Sequence, residues 1–352
     1  MDVAIIAAAR FAISEPFAGG MEMHTHVLAD ALAGRGHKVT VYAAGGEGRF
    51  DVERLLPVGF EPSDVARRDV SAGPAVTLSE HHSYLDAVLR LARAGHQLVH
   101  INAVHHLPFA CSPLLPSVVT GTLHSPPTPW LESALVLAAQ QANPPVLVSV
   151  SRSNAAAWRG VGISHVIGNG VDLGAWRPGP GGPAAVWSGR IVPEKGPHLA
   201  IDAARLAGLP LRLVGPRHDD RYFAEEISPR LGDGIEYLGH LSSCEVADVV
   251  GRSCVAVVTP RWEEPFGLVV AEALACGTPV AGFARGALPE LVDDRTGVLV
   301  APDDVAGLAR AMVDAATLSR RQCRDVAAAR FCSTVMVDAY ESWFEDLVDR
   351  AA

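Results

Sequence analysis

Two glutamates and the segment between them carry the clearest chemical signal in the chain. Glu264 and Glu272 are separated by seven residues, and Pro-Phe-Gly-Leu follows the first glutamate directly. Because Pro265 has no N–H group and fits the first turn of a helix, we expect the free N–H groups of the next three residues at a helix start, where a phosphate binds well. Those three residues are Phe266, Gly267 and Leu268. Glu264 would lie just outside this helix and Glu272 about two turns on, so that one carboxylate could reach a sugar ring and the other a ribose. The alternative is a buried helix with two exposed glutamates.

A pair of cations, Arg190 and Lys195, lies in the segment Ser-Gly-Arg-Ile-Val-Pro-Glu-Lys-Gly, between a predicted strand and a predicted helix. Two cations in such a loop suit a diphosphate. Lysine is rare in this chain, because only Lys38 and Lys195 occur among 29 basic residues. We therefore interpret Lys195 as a diphosphate ligand. The alternative is a loop charge in solvent.

Gly19 and Gly20 lie between the first predicted strand and the first predicted helix. Such a turn presents backbone N–H groups at a helix N-terminus, although the spacing lacks the full glycine pattern of a dinucleotide site. His124 follows another predicted strand, where it could donate to a sugar hydroxyl or meet a developing charge. A single histidine is also commonly structural. Backbone groups near Gly215 and Tyr237–His240 are the candidates for reading a nucleobase.

No metal centre is predicted. Several of the 14 histidines are clustered, but none has a convincing ligand spacing with cysteine or carboxylate partners. The pairs are His24 with His26, His81 with His82, and His105 with His106. The six cysteines include no Cys-x-x-Cys pair, which favours buried free thiols over a disulfide framework.

The elements that must position these residues fall into two α/β halves. The first half opens with a buried strand, a glycine loop, a helix ending at Gly34 or Gly36 and a second strand, the order typical of a parallel sheet. The Gly- and Pro-rich stretch that follows Val166 predicts a connection between domains. A second series of strands and helices then begins. Two doubly wound domains would bind a ligand at the carboxyl ends of their strands, in the cleft between them. The predicted domains are 1–168 and 184–332, joined by a linker at 169–183 and followed by a final amphipathic helix at 333–352.

Length and composition agree with this plan. The chain has 352 residues, which is longer than a single hydrophobic core usually supports. Its net charge of −10 excludes a generally basic nucleic-acid binder. The sequence shows neither a secretory signal pattern nor a stretch typical of a membrane span, so we expect a soluble, cytoplasmic protein.

Taken together, the motifs resemble family 4 of the glycosyltransferases over essentially the whole chain. They are Gly19-Gly20-x-Glu22, Thr122–His124, Asn169–Asp172, Gly189–Gly196, Glu264–Val280 and Gly286–Glu290. The resemblance implies the GT-B fold, with two facing, doubly wound Rossmann-like domains, parallel sheets and a deep cleft between the domains. It also implies retaining transfer of a sugar from a nucleotide diphosphate sugar, with UDP favoured over GDP, to an acceptor hydroxyl and without a metal or other cofactor.

Carried over to this sequence, the resemblance implies that Arg190 and Lys195 hold the diphosphate and Glu272 binds the ribose hydroxyls. Glu264 and His124 would contact the donor sugar. Gly20 would approach the phosphate from the first domain, and the final helix would cross back onto that domain. The resemblance leaves open whether the acceptor is a small molecule, a saccharide or a lipid-linked compound, and it leaves the oligomeric state open.

Other functions compete with this one. A nucleotide-sugar epimerase or phosphorylase could use the same fold, and so could a non-catalytic nucleotide-sugar-binding protein. A phosphorylase that uses pyridoxal needs a Schiff-base lysine, for which Lys195 is the candidate, but that residue already has a phosphate role. A nicotinamide-dependent oxidoreductase is disfavoured because the glycine fingerprint is absent.

Overall fold

The first half of the chain forms a seven-stranded parallel sheet. The structure, a computed structural model, describes residues 1–55, 63–66 and 75–351. The strand order is β3-β2-β1-β4-β5-β6-β7. The strands are β1 (Asp2–Ile6), β2 (Lys38–Ala43), β3 (Asp51–Arg54), β4 (Leu98–Ile101), β5 (Val118–Leu123), β6 (Val146–Ser149) and β7 (Ile163–Val166).

Helices lie between most consecutive strands, as is usual in parallel sheets, whereas β2 and β3 are joined by a loop at 44–50. The helices are α1 (Gly20–Gly34), α2 (Ala75–Ala94), α3 (His106–Cys111), α4 (Pro129–Ala138) and α5 (Arg152–Ala157), with a short 3-10 turn at Ser112–Leu114. The central strands are buried because helices cover both faces of the sheet. In β4, for example, all four residues are buried, the polar His100 among them.

The second half forms a six-stranded parallel sheet with the order β10-β9-β8-β11-β12-β13. Its strands are β8 (Ala185–Ser188), β9 (Leu211–Val214), β10 (Ile235–Tyr237), β11 (Ala256–Val258), β12 (Val280–Phe283) and β13 (Gly297–Val300). Its helices are α6 (Pro197–Ala207), α7 (Asp220–Tyr222), α8 (Ser243–Gly251), α9 (Leu268–Ala275), α10 (Leu288–Leu291), α11 (Val305–Ala315) and α12 (Arg320–Arg330). A π-turn at Phe223–Ile227 and 3-10 turns at Pro193–Lys195 and Ser228–Arg230 complete it.

The segment after β7 packs onto the second half. Val171 and Trp176 are buried in its core, and the Gly179 amide donates to the Cys276 carbonyl over 3.1 Å. This segment falls within the predicted linker.

The last helix, α13 (Ser333–Ala351), lies against the first sheet. Its apolar side chains, among them Tyr340 and Phe344, share a core with Val3 and Ile5 of β1. The chain therefore returns to its first half after completing the second. The domain boundaries themselves stay predictions, and Ala352 and parts of the predicted first domain lie outside the described residues.

In both sheets the strand order reverses beside the first strand of that half, at β1 and at β8. The loops that follow such strands line a crevice at the carboxyl edge of the sheet, where α/β proteins bind ligands. The loop after β1 contains Gly19, and the loop after β8 contains Arg190 and Lys195. Among the described helices, none is both long and apolar enough to cross a bilayer.

Candidate active site

A cavity of about 270 Å³ lies between the two halves and is lined by residues from both. Nine of the eleven site residues predicted from sequence line it. They are Gly19, Gly20, Arg190, Lys195, Gly215, Glu264, Gly267, Leu268 and Glu272. The other two, Phe266 and His124, do not line it.

Lys195 and Glu264 form an ion pair in this cavity, with 2.5 Å between Lys195 Nζ and Glu264 Oε2. The indole N–H of Trp262 donates to the same carboxylate oxygen over 3.0 Å, and the ammonium lies 5.0 Å from the Trp262 ring centroid. The Thr259 hydroxyl donates to the Lys195 carbonyl over 3.0 Å. These contacts fix both charged groups. An ammonium has three N–H donors, so Lys195 keeps two for another anion while it binds Glu264.

Arg190 stands at the end of the β8 strand, with its side chain 39% exposed. Its nearest carboxylate partner is Glu194, at 4.0 Å, which is a weak contact. Beside Arg190, the loop after β8 passes very close to the loop after β9. A Cβ on Gly215 would lie 1.9 Å from the Gly189 carbonyl oxygen, so glycine is required there. The close approach brings both loops into one wall of the cavity.

The helix start near Glu264 differs from the sequence prediction. Helix α9 begins at Leu268, with Gly267 as the preceding residue at φ +91, a left-handed conformation that favours glycine. Pro265 therefore lies before the helix rather than in its first turn. The ring of Phe266 is buried and packs edge-on against Phe331, with 6.3 Å between centroids. The Val270 amide donates to the Gly267 carbonyl, whereas the amides of Gly267, Leu268 and Val269 have no partner among the described residues.

Glu272 lies one turn into α9, not two turns from its start as predicted. The carboxyl group is half-buried in the cavity wall. Burial raises its pKa to about 8, because the charged form is poorly solvated there. The neutral carboxyl can both donate and accept a hydrogen bond, as a pair of sugar hydroxyls requires.

Helix α1 approaches from the first half. It begins at Gly20, where an added Cβ would lie 3.2 Å from the Leu268 side chain of α9. The N-termini of these two helices thus meet at the cavity, and helix N-termini attract anions. Glu22 in the first turn of α1 is buried, which raises its pKa, although Arg190 acts in the opposite direction.

His124 lies at the end of β5, away from the lining of the cavity. Its Nε2 is 2.5 Å from Asn102 Oδ1. The Asn102 amide nitrogen donates to the Thr25 hydroxyl oxygen, which itself donates to the Met21 carbonyl, so the amide orientation is fixed. It follows that His124 carries its proton on Nε2.

Burial, together with His24 and His100, lowers the pKa of His124 well below its usual range. The ring is therefore neutral, with the lone pair on Nδ1. In this state Nδ1 can accept a hydrogen bond but cannot donate one. The contact of His124 with a donor sugar stays a prediction.

Sequence reasoning missed Trp262 and Asn102. Asn102 directly follows a predicted strand, so its place at the carboxyl edge was a usable signal. No sequence pattern indicated that the Trp262 indole would contact both Lys195 and Glu264.

Three other histidines lie close together, with nitrogens of His81, His105 and His106 all within 4.8 Å of one another. The His105 and His106 rings are stacked at 23°, so their in-plane lone pairs run side by side rather than toward one point. His105 Nδ1 also accepts the Leu107 amide at 3.2 Å. The absence of a metal stays a prediction. All six cysteines are free, as predicted, but the expectation that they are buried holds for Cys276 and Cys323 alone. Cys244 is exposed, and Cys111, Cys254 and Cys332 are half-buried.

Comparison with known proteins assigns the family. Residues 18–175 match the model of Glycosyltransferase Family 4, and residues 177–329 match that of Glycosyl transferases group 1. The chain is a family 4 glycosyltransferase. The glycosyltransferase has the GT-B fold predicted from its sequence.

Among its relatives is a glycogen synthase of Mycobacterium tuberculosis, 29% identical over 87% of this chain and 85% of that protein. A D-inositol 3-phosphate glycosyltransferase of Actinosynnema mirum is 29% identical over 81% of this chain and 80% of that protein. The solved structure of Anabaena HepE, a complex with UDP and glucose, has a TM-score of 0.75 at 19% identity, covering 98% of the glycosyltransferase and 99% of HepE. The family models and the two relatives support glycosyltransferase activity, and the likeness to HepE shows the fold. They give no support to the alternatives of an epimerase or a non-catalytic binding protein.

Proposed function

We propose that this glycosyltransferase transfers a hexose from UDP-hexose to an acceptor hydroxyl with retention of configuration and without a metal ion. The observation that carries the proposal is the cavity between the halves, where Arg190 and Lys195 lie with the N-termini of α1 and α9. Such an arrangement suits a diphosphate bound between two domains. The HepE structure with UDP and glucose supports UDP as the nucleotide.

The reaction breaks the bond between the anomeric carbon and a diphosphate oxygen, and the electron pair stays on that oxygen. Negative charge grows on the leaving group and positive charge on the sugar ring. Arg190 and the two free N–H donors of Lys195 would stabilise the leaving group, together with the unpartnered amides at the start of α9. This much positive potential would allow cleavage without a metal ion.

Retention follows if the acceptor oxygen attacks the face from which the diphosphate departs. The acceptor proton then passes to an oxygen of the departing diphosphate, which balances the step. Glu264, held by Lys195 and Trp262, would bind the sugar hydroxyls. Glu272 would hold the ribose.

For the acceptor, we propose a small molecule or a saccharide. The relatives named a glycogen synthase and a D-inositol 3-phosphate glycosyltransferase support this class.

A panel of nucleotides and nucleotide sugars tests the proposal. A ligand that binds the folded state raises its melting temperature, so UDP and UDP-hexoses should stabilise the protein more than GDP and its sugars. Turnover with saccharide acceptors, followed by NMR of the product, then gives the anomeric configuration. Release of UDP with an inverted product would contradict retention, and stabilisation by GDP alone would contradict the choice of base.

A further inference from the structure

Glu290, the last residue of the Gly286–Glu290 motif, reaches from the second half of the chain to the first. Its carboxylate oxygens accept hydrogen bonds from the backbone N–H groups of Arg152 and Ser153, over 3.0 and 2.5 Å. These two amides belong to the first two residues of α5, which have no acceptor within their own helix. A carboxylate at this position is favoured by the helix dipole.

Ser151 makes a second connection at the same place. Its hydroxyl donates to the Pro265 carbonyl over 2.6 Å and accepts a hydrogen bond from the backbone N–H of Asn154 over 2.9 Å. Pro265 follows Glu264 directly, so Ser151 ties α5 to the segment that carries Glu264. Ser151 is buried, which excludes water as a competing partner.

On its other side, α5 holds the strand that carries His124. The side-chain Nδ2 of Asn154 donates to the Leu123 carbonyl over 2.8 Å and to the Ser149 hydroxyl over 3.0 Å. Leu123 immediately precedes His124. The start of α5 is therefore hydrogen-bonded to Pro265, the neighbour of Glu264, and to Leu123, the neighbour of His124.

Glu290 and Glu264 also belong to one packed unit in the second half. The Ala287 amide donates to the Glu264 carbonyl over 2.8 Å, and a Cβ on Gly286 would lie 2.3 Å from the Glu264 backbone nitrogen. Arg330 donates to the Glu290 carbonyl over 2.5 Å. A shift of Glu290 would therefore be transmitted to Glu264.

We propose that Glu290 and Ser151 are positioning residues, which set Glu264 and His124 in the mutual placement needed for transfer. We call their contacts with α5 and Pro265 the α5 junction. The inference rests on the proposed function, because it assigns the junction a role in that reaction. Neither residue lines the cavity, so neither is a candidate to bind the nucleotide. Small displacements of reacting groups cost large factors in rate, which is why such contacts matter.

Hydrogen exchange tests whether the junction exists in solution, without need of activity. In Glu290→Ala, the Arg152 and Ser153 amides should exchange about tenfold faster than in the unaltered protein, because Glu290 is their acceptor. The matched control is Glu263→Ala, since Glu263 accepts the Gly286 amide within the second half. Unchanged exchange in Glu290→Ala would overturn the inference.

Steady-state kinetics of UDP-glucose cleavage test the positioning role. In Glu290→Ala and Ser151→Ala, kcat should fall by about tenfold or more, while KM and the affinity for UDP change by less than about threefold. Glu290→Gln keeps one acceptor oxygen and should recover part of kcat. The control for Ser151→Ala is Ser164→Ala, whose hydroxyl bonds the Leu147 carbonyl within the first sheet. Melting temperatures measured alongside identify variants that fail to fold.

The outcomes separate this inference from the proposed function. A protein that neither binds UDP nor cleaves UDP-sugars contradicts the proposed function, and the exchange experiment still decides whether the junction forms. A protein that cleaves UDP-glucose with an unchanged kcat in Glu290→Ala keeps the proposed function and overturns the positioning role.

Discussion

Lys195 Nζ lies 2.5 Å from Glu264 Oε2, and both residues line a cavity shared by the two halves of the chain. One of only two lysines in 352 residues therefore pairs with the first glutamate of the most distinctive motif. The pair brings together a cation suited to a diphosphate and a carboxylate suited to sugar hydroxyls. A donor bound here would meet both at the bond that breaks.

The two lysines provide a matched test of that pair. Lys195→Ala should lower turnover of UDP-sugar by about two to three orders of magnitude, because it removes a charge opposite the leaving group. Lys38→Ala should leave turnover unchanged, since Lys38 is exposed, pairs with Asp2 and does not line the cavity. Initial rates at saturating donor measure both. Equal activity in the two variants would contradict the role of Lys195.

Glu272 should make stability depend on pH. Its folded pKa of about 8 exceeds the ordinary value of 4.5, so the folded state keeps a proton that the unfolded state loses between these values. The stabilisation is complete below about pH 4.5 and is lost as pH rises toward 8. Urea unfolding gives the free energy of unfolding at pH 5 and at pH 8. Between these pH values it should fall on the order of 1–3 kcal/mol further in the unaltered protein than in Glu272→Gln. Parallel losses in the two proteins would contradict the shifted pKa.

His124 should remain neutral through the physiological range. Because its pKa is lowered by burial, the unfolded state binds a proton below about pH 6.5 that the folded state does not, and His124 lowers stability as pH falls. Nitrogen NMR of the imidazole should show a proton on Nε2, bonded to Asn102, and a bare Nδ1 at pH 6. A titration of this ring near pH 6.5 would rule out the buried arrangement. In Asn102→Ala the tautomer preference should weaken.

Removal of metal ions should leave the reaction intact. If Arg190, Lys195 and the start of α9 supply the positive potential, EDTA should change the rate of UDP-sugar cleavage by less than about twofold. Added Mg²⁺ should likewise raise the rate of cleavage by less than about twofold. A rate that collapses in EDTA and returns with Mg²⁺ would show that these groups are insufficient.

Much of the donor side could be predicted from the sequence, since its residues follow strands in a parallel sheet and such loops meet at one edge. Arg190, Lys195, Glu264 and Glu272 all line the cavity as expected. The start of α9 was predicted three residues too early. Proline favours a helix start in general, but here Gly267 takes a left-handed conformation and delays the helix to Leu268.

The sequence by itself determined the α/β class, the parallel sheets and the carboxyl-edge loops, because these depend on apolar runs, glycine turns and short motifs. Tertiary structure alone decided how the halves meet. The Ser151 hydroxyl finds a carbonyl 114 residues away, and Glu290 finds amides 138 and 137 residues away. It also decided the tautomer of His124, through Asn102, which directly follows the neighbouring strand β4. Such contacts depend on where packed elements place individual polar atoms, and periodicity in the sequence carries no information about that.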